Sequence, residues 1–207
     1  IKIPRFTFEK FSDTEEKLGT AMKSIGECMA IGRNFKESFQ KAVRSLEIGL
    51  DGLNSTKDLK NKKKSELLNL LKKNLPNKFL VIAESFRKNI PIQNIVKNTK
   101  YDYWFVREIS EIVDAEEKLK KKINDDIYLQ SKSIGFSDDR IRSLSKLSER
   151  SLNNLKKKCN FKTKFKLIDT CSGEFKSSTP YMYSTWTSNK LNPDFESETD
   201  VTRKKKV

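Results

Sequence analysis

A chain with no histidine and three isolated cysteines has few routes to covalent chemistry. Without imidazole there is no Ser-His-Asp or Cys-His nucleophile, no histidine-containing zinc site and no imidazole general base. Cys28, Cys159 and Cys171 form no C-x-x-C pair and fall one ligand short of an all-cysteine zinc site, which points to reduced thiols in a cytosolic compartment. Carboxylates remain. Glu15-Glu16, Glu116-Glu117, Asp125-Asp126 and Asp138-Asp139 could in principle ligate a metal or move protons. Adjacent residues on a helix point apart, and three of the four pairs fall at or near a helix start, where acids are favoured anyway, so capping and solvation account for them. Gly26 and Gly32 are too far apart, and lack a following Lys-Ser/Thr, to cradle a phosphate. Tyr101, Tyr103, Trp104 and Phe105 could stack bases, but at a helix start they fit better as anchors for a core or a subunit interface.

The charge balance raises nucleic acid as a partner. The 207 residues carry 43 Lys plus Arg against 28 Asp plus Glu, a net +15. Only nine of those cations are Arg, and Lys, Asn and Ile abound beside five Ala, a texture of A/T-rich codons rather than of phosphate readout by clustered guanidinium groups. Residues 136–156 resemble a helix-turn-helix, with Arg150, Asn153 and Asn154 on the second helix. Two helices packing through Ile141, Leu144, Leu147, Leu152 and Leu155 give the same pattern without DNA. A small basic helical nucleic-acid-binding protein is the alternative reading. The longest apolar run, 79–83, is far short of the roughly 20 residues a membrane span needs.

The elements that must position these residues are mostly helices. Leu, Ile, Val and Phe make 55 of 207 residues, enough for a thin core. Alternation at Ile1, Ile3, Phe6 and Phe8, broken by Pro4, predicts an edge strand, and the apolar stretch between Gly26 and Gly32 predicts a buried one. Asn34 and Glu37 resemble a capping box that starts a helix carrying Phe35, Phe39, Val43 and Leu46, with Gly49 as its C-cap. Residues 53–64 read as a solvated connector. Helices follow over 65–75, stopped by Pro76, over 78–88, as a single turn over 91–96, and from an Asp102 cap, the best of all, with Phe105, Ile109, Ile112, Val113, Glu116 and Leu119 at mostly three- and four-residue steps. Three short helices span 125–133, 138–144 and 148–158, and extended pieces follow at 161–167 and 180–186. A polar, acidic tail occupies 192–200.

Four strings carry a resemblance to a known family. Ile3-Pro-Arg-Phe-Thr-Phe-Glu-Lys-Phe11, Met22-Lys-Ser-Ile-Gly-Glu-Cys-Met-Ala-Ile-Gly-Arg33, Gln40-Lys-Ala-Val-Arg-Ser-Leu-Glu-Ile-Gly-Leu-Asp-Gly52 and Tyr181-Met-Tyr-Ser-Thr185 together resemble the large subunit of carbamoyl phosphate synthetase. Weaker matches at Ile82-Ala-Glu-Ser-Phe-Arg87, Trp104-Phe105, Glu116-Glu117, Gly135-Phe136-Ser137-Asp138 and Asp169-Thr-Cys171 keep the same order.

The resemblance implies a mainly α chain: residues 1–49 as a short α/β segment closing the first, carboxyphosphate-forming ATP-grasp half, 50–190 as a helical oligomerisation domain, and 191–207 as the lead into the second half. The chain would then be a fragment, begun upstream of its first residue, Ile1, and inactive alone. It also implies a cytoplasmic, ATP-dependent ligase of arginine or pyrimidine biosynthesis. That enzyme makes carbamoyl phosphate from bicarbonate, glutamine-derived ammonia and two ATP, with Mg2+ or Mn2+ and K+. The implied partners are a glutaminase subunit or domain, the remaining ATP-grasp halves and a second copy, with no nucleic acid and no membrane. Catalytic, nucleotide and metal residues would lie outside this stretch, whereas Met22 and Glu27 match positions that line the carbamate passage. A passage that shields a labile intermediate needs apolar walls with a few placed polar groups.

Overall fold

A computed structural model describes residues 1–8, 17–171, 173–175, 181–188, 190–192 and 195–199. The pair Glu15-Glu16, the start of the second extended piece at Pro180 and the last residues of the tail lie outside the described residues. Short polar side chains write most of the helix starts. Asn34 accepts from Glu37 N at 2.9 Å, Asp102 from Trp104 N at 2.8 Å, Asn124 from Ile127 N at 2.8 Å, Ser137 from Arg140 N at 3.0 Å and Ser148 from Ser151 N at 3.2 Å. Each satisfies one of the orphan donors at a helix N-terminus.

The chain runs β1 (Lys2–Arg5), β2 (Gly26–Met29), α1 (Phe35–Ser45), α2 (Lys57–Lys60), α3 (Lys64–Leu71), α4 (Lys78–Arg87), α5 (Ile92–Thr99), α6 (Tyr103–Lys121), α7 (Asp125–Ser133), α8 (Asp138–Ser145), α9 (Glu149–Cys159), β3 (Lys162–Leu167) and β4 (Met182–Thr187). It is mainly helical, as expected. β1 pairs antiparallel with β2, Pro4 opposite Glu27, and β3 pairs antiparallel with β4, Lys162 opposite Thr187. The 19-residue α6 is the axis of the helical body. Its buried Val106, Ile109, Ile112, Val113 and Leu119, spaced by three or four residues apart from a single-residue and a six-residue step, join Leu67 and Leu71 of α3, Leu80 to Ala83 of α4, Ile95 of α5, Ile141 of α8 and Leu152 of α9. Phe39 and Val43 of α1 belong to the same apolar cluster, so α1 is part of the helical body's core.

Five local expectations need correction. The helix expected over 65–75 stops short of Pro76: α3 ends at Leu71, with Lys72 as its C-cap. β2 is largely exposed rather than buried, because among the described residues its sheet has only two strands and three of its four residues stay open to solvent. α1 ends at Ser45, and Glu47, at φ +52, takes the left-handed position two residues before Gly49. The stretch 53–64 is no solvated connector: Leu53 is fully buried and Leu59 nearly so, on the short α2. The single turn at 91–96 is an eight-residue helix, α5, that runs to Thr99 because Ile95 reaches the core.

Glu116, which keeps step with the apolar residues of α6 although its pair with Glu117 reads as solvated, is 1% exposed. Its Oε2 takes Arg87 of α4 at 2.6 Å and its Oε1 takes Arg140 of α8 at 2.5 Å, each guanidinium also offering Nε at 3.2 Å. Arg87 donates further to Glu84 at 3.2 Å and both arginines to the Leu53 carbonyl, while Ser55 donates to Glu84 at 2.7 Å. Leu53 and Ser55 of the would-be connector are thus drawn in by buried charge that must find partners. Glu117, next door, is exposed and bonds only Lys120.

A second clamp fixes α1. Gln40 donates to the Ile134 carbonyl and Arg44 to that of Gly135, each at 2.8 Å. Gly135, at φ +98, lies so close that a Cβ there would stand 2.7 Å from the Glu37 Cα.

Glu116→Ala strands two buried guanidinium groups and costs about 3–5 kcal/mol in urea unfolding, whereas Glu117→Ala stays within about 0.5 kcal/mol. Gly135→Ala adds overpacking to a left-handed backbone and costs about 3 kcal/mol, against about 1 kcal/mol for Gly49→Ala, whose φ is +76 but whose surroundings are open.

Candidate functional site

The two residues matched to the carbamate passage are both exposed. Strand alternation turns Glu27 and Met29 outward and Cys28 inward, where its Sγ lies 3.1 Å from the Ala42 carbonyl. Glu27 is exposed and pairs with Lys2 at 2.7 Å. Met22, on the lead-in to β2, is 87% exposed, and Ile25 and Met29 flank it at 62% and 67%. Met22 is therefore no core residue of this chain.

The expected aromatic anchors occupy the start of α6. Trp104 and Phe105 pack on Phe35 of α1 at centroid distances of 5.2 and 5.6 Å, and both stay almost half exposed. They neither close into the core nor stand alone. In the α8–α9 pair, Ile141 and Leu152 are buried while Arg150, Asn153 and Asn154 face solvent. Among the described residues no group of three or more His, Cys, Asp or Glu side chains could hold a metal ion. The thiols of Cys28, Cys159 and Cys171 are free. No described helix is long and apolar enough to cross a membrane.

One perturbed lysine was invisible to sequence reasoning. Lys132 of α7 is 3% exposed; its ammonium lies 2.9 Å from Asp138 Oδ1 and 3.3 Å from the centre of the Trp186 ring on β4. Burial pushes its pKa down to about 8, against the pull of Asp138. Burial also acts on Asp138, but hydrogen bonds from Lys156 and Lys132 hold its carboxyl below the usual range. Burial, then the Asp138 charge, raises the neighbouring Tyr128 hydroxyl. A lysine titrating near neutrality suits a nucleophile only where a substrate can reach it. Lys132 is roofed by Trp186 and Phe161, so it pins β4 and the loop after α9 to α7. Its partners lie six and 54 positions away in sequence, too scattered to form a motif.

Lys132 is charged in both states below about pH 8 and neutral in both above the ordinary value of 10.5. Between those limits the unfolded chain holds the extra proton, so stability rises with pH, by on the order of 1–3 kcal/mol. Urea midpoints from pH 7 to 10 should show that rise in the parent chain and a flatter profile in Lys132→Met.

The family described as carbamoyl-phosphate synthetase large chain, oligomerisation domain, matches residues 27–160, from within β2 to the end of α9. The chain is 39% identical over 211 residues to the carbamoyl phosphate synthase large chain of Vibrio cholerae, covering 100% of this chain and 19% of that protein. It is 41% identical to that of Buchnera aphidicola, covering 89% of this chain and 18% of the relative. With the large chain, N-terminal section, of Aquifex aeolicus it shares 44% identity, covering 90% of this chain and 33% of the relative. The chain thus spans a third or less of the length of these relatives. With that match running unbroken through the body locked by Glu116, the chain belongs to the carbamoyl-phosphate synthetase large chain family, through its oligomerisation domain.

Proposed function

We propose that this chain is the scaffold of a carbamoyl phosphate synthase large chain: it spaces two ATP-using halves, offers helical surface for self-association and performs no chemistry of its own. The match over 27–160 carries this reading. In it, residues 1–49 close the first ATP-grasp half, 50–190 form the oligomerisation domain and 191–207 lead into the second half. The two clamps on α1 and α6 suit that role, since a spacer must hold its flanks at fixed separation.

The whole large chain would be an ATP-dependent ligase in the cytoplasm, supplied with ammonia by a glutaminase subunit or domain. In keeping with the resemblance, ATP, Mg2+ or Mn2+, and K+ would be held by the parts of the large chain outside this stretch. Its contribution would be to wall the carbamate passage with the exposed strip of Met22, Ile25 and Met29 and to set Glu27 in that wall. The exposure of Met22 supports this, because an apolar side chain left out of its own core is available to another.

In the complete enzyme, Glu27→Ala should leave bicarbonate-dependent ATP hydrolysis nearly intact while carbamoyl phosphate output falls, so that more ATP is consumed per product. Equal loss of both activities would make Glu27 a structural residue and remove it from the passage.

A further inference from the structure

The first turn of α4 holds a cation where a helix favours acids. Lys78 is 5% exposed, its ammonium lies 5.3 Å from the centre of the Tyr101 ring, and among the described residues no carboxylate comes within ion-pairing distance. It lines a groove of about 580 Å³ between the β1 segment and the starts of α4 and α6, walled by Ile3, Phe6, Phe79, Tyr101 and Phe105. Asp102, on the same rim, is engaged in capping α6 through Trp104 N at 2.8 Å. Lys100, exposed at the left-handed end of α5, adds a second cation. Burial alone lowers the Lys78 pKa, so the site bears the cost of desolvating a charge that no carboxylate among the described residues pairs with.

A carboxylate brought into the groove would remove that deficit, and apolar walls require it to arrive on an apolar body. The aromatic surface runs past the groove over Phe35 and Trp104, further than a small ligand covers. Aromatic rings around a desolvated cation are the composition of interface hot spots. A net charge of +15 favours encounter with acidic partners. We propose that this groove seats a protein segment presenting a glutamate or aspartate flanked by large apolar side chains, its carboxylate paired with Lys78. The assignment goes beyond the scaffold reading and does not depend on which enzyme the chain serves.

The test titrates the 207-residue chain, isotope-labelled for NMR, with acetylated peptide amides of sequence Leu-X-Phe-Leu in which X is Glu, Gln or Lys. A buried charge-assisted hydrogen bond predicts that the Glu peptide binds about tenfold more tightly than the Gln peptide, with shifts at Phe35, Tyr101 and Phe105. Lys78→Met should fold with unchanged circular dichroism, reduce the Glu/Gln ratio to about one and leave the Gln peptide's affinity alone; Lys78→Gln serves equally should the Met variant fail to fold. Equal affinity for Glu and Gln, or no peptide binding, would overturn the proposal. So would octanoate saturating the groove while peptides do not, which would assign it to a free organic acid, or a single-stranded oligonucleotide displacing the Glu peptide.

Discussion

A single carboxylate between two guanidinium groups holds the helical body together. Glu116 sits on the central helix, Arg87 on α4 and Arg140 on α8, and the Leu53 carbonyl closes the ring from a loop that has no regular structure. Such a knot is seldom a cheap source of stability, because two arginines and a glutamate must leave water. What it supplies is register. Apolar residues make only 35% of this chain, and a thin core of Leu and Ile tolerates several helix packings, whereas a paired fork of N–H donors accepts few.

From that knot the remaining surfaces follow. With α4, α6 and α8 locked, the turn before α8 presents its carbonyls to Gln40 and Arg44, and α1 docks against it with no room for a side chain at Gly135. α1 in turn carries the β1–β2 pair on its flank and Phe35 toward Trp104. A protein that spaces other domains needs such rigidity more than it needs a cleft.

Local grammar was legible where one residue does one job. The Asn34, Asp102 and Ser148 caps, the apolar spacing of α6 and the alternation around Phe165 each depend on neighbours within a few positions. Reading failed where distant partners decide. Residues 53–64 look solvated because their lysines are, yet Leu53 and Ser55 are pulled inward by Arg87, Arg140 and Glu84. Pro76 marks the end of a helical pattern, but α3 stops at Leu71, and Leu75 and Pro76 beyond it line the groove at Lys78. The Met22 and Glu27 positions came from the resemblance; their exposure could not be read from types or spacing.

The amino-acid sequence by itself determined a mainly helical chain, reduced thiols, the absence of histidine chemistry and the family to which the strings belong, because composition, capping and short motifs are local properties. The tertiary structure alone decided which cations pair with Glu116, which lysines lose their water and which apolar residues are left without a core. Those outcomes depend on desolvation and on charges brought together across 24 and 29 positions, and a buried ion pair has no signature until both partners are placed.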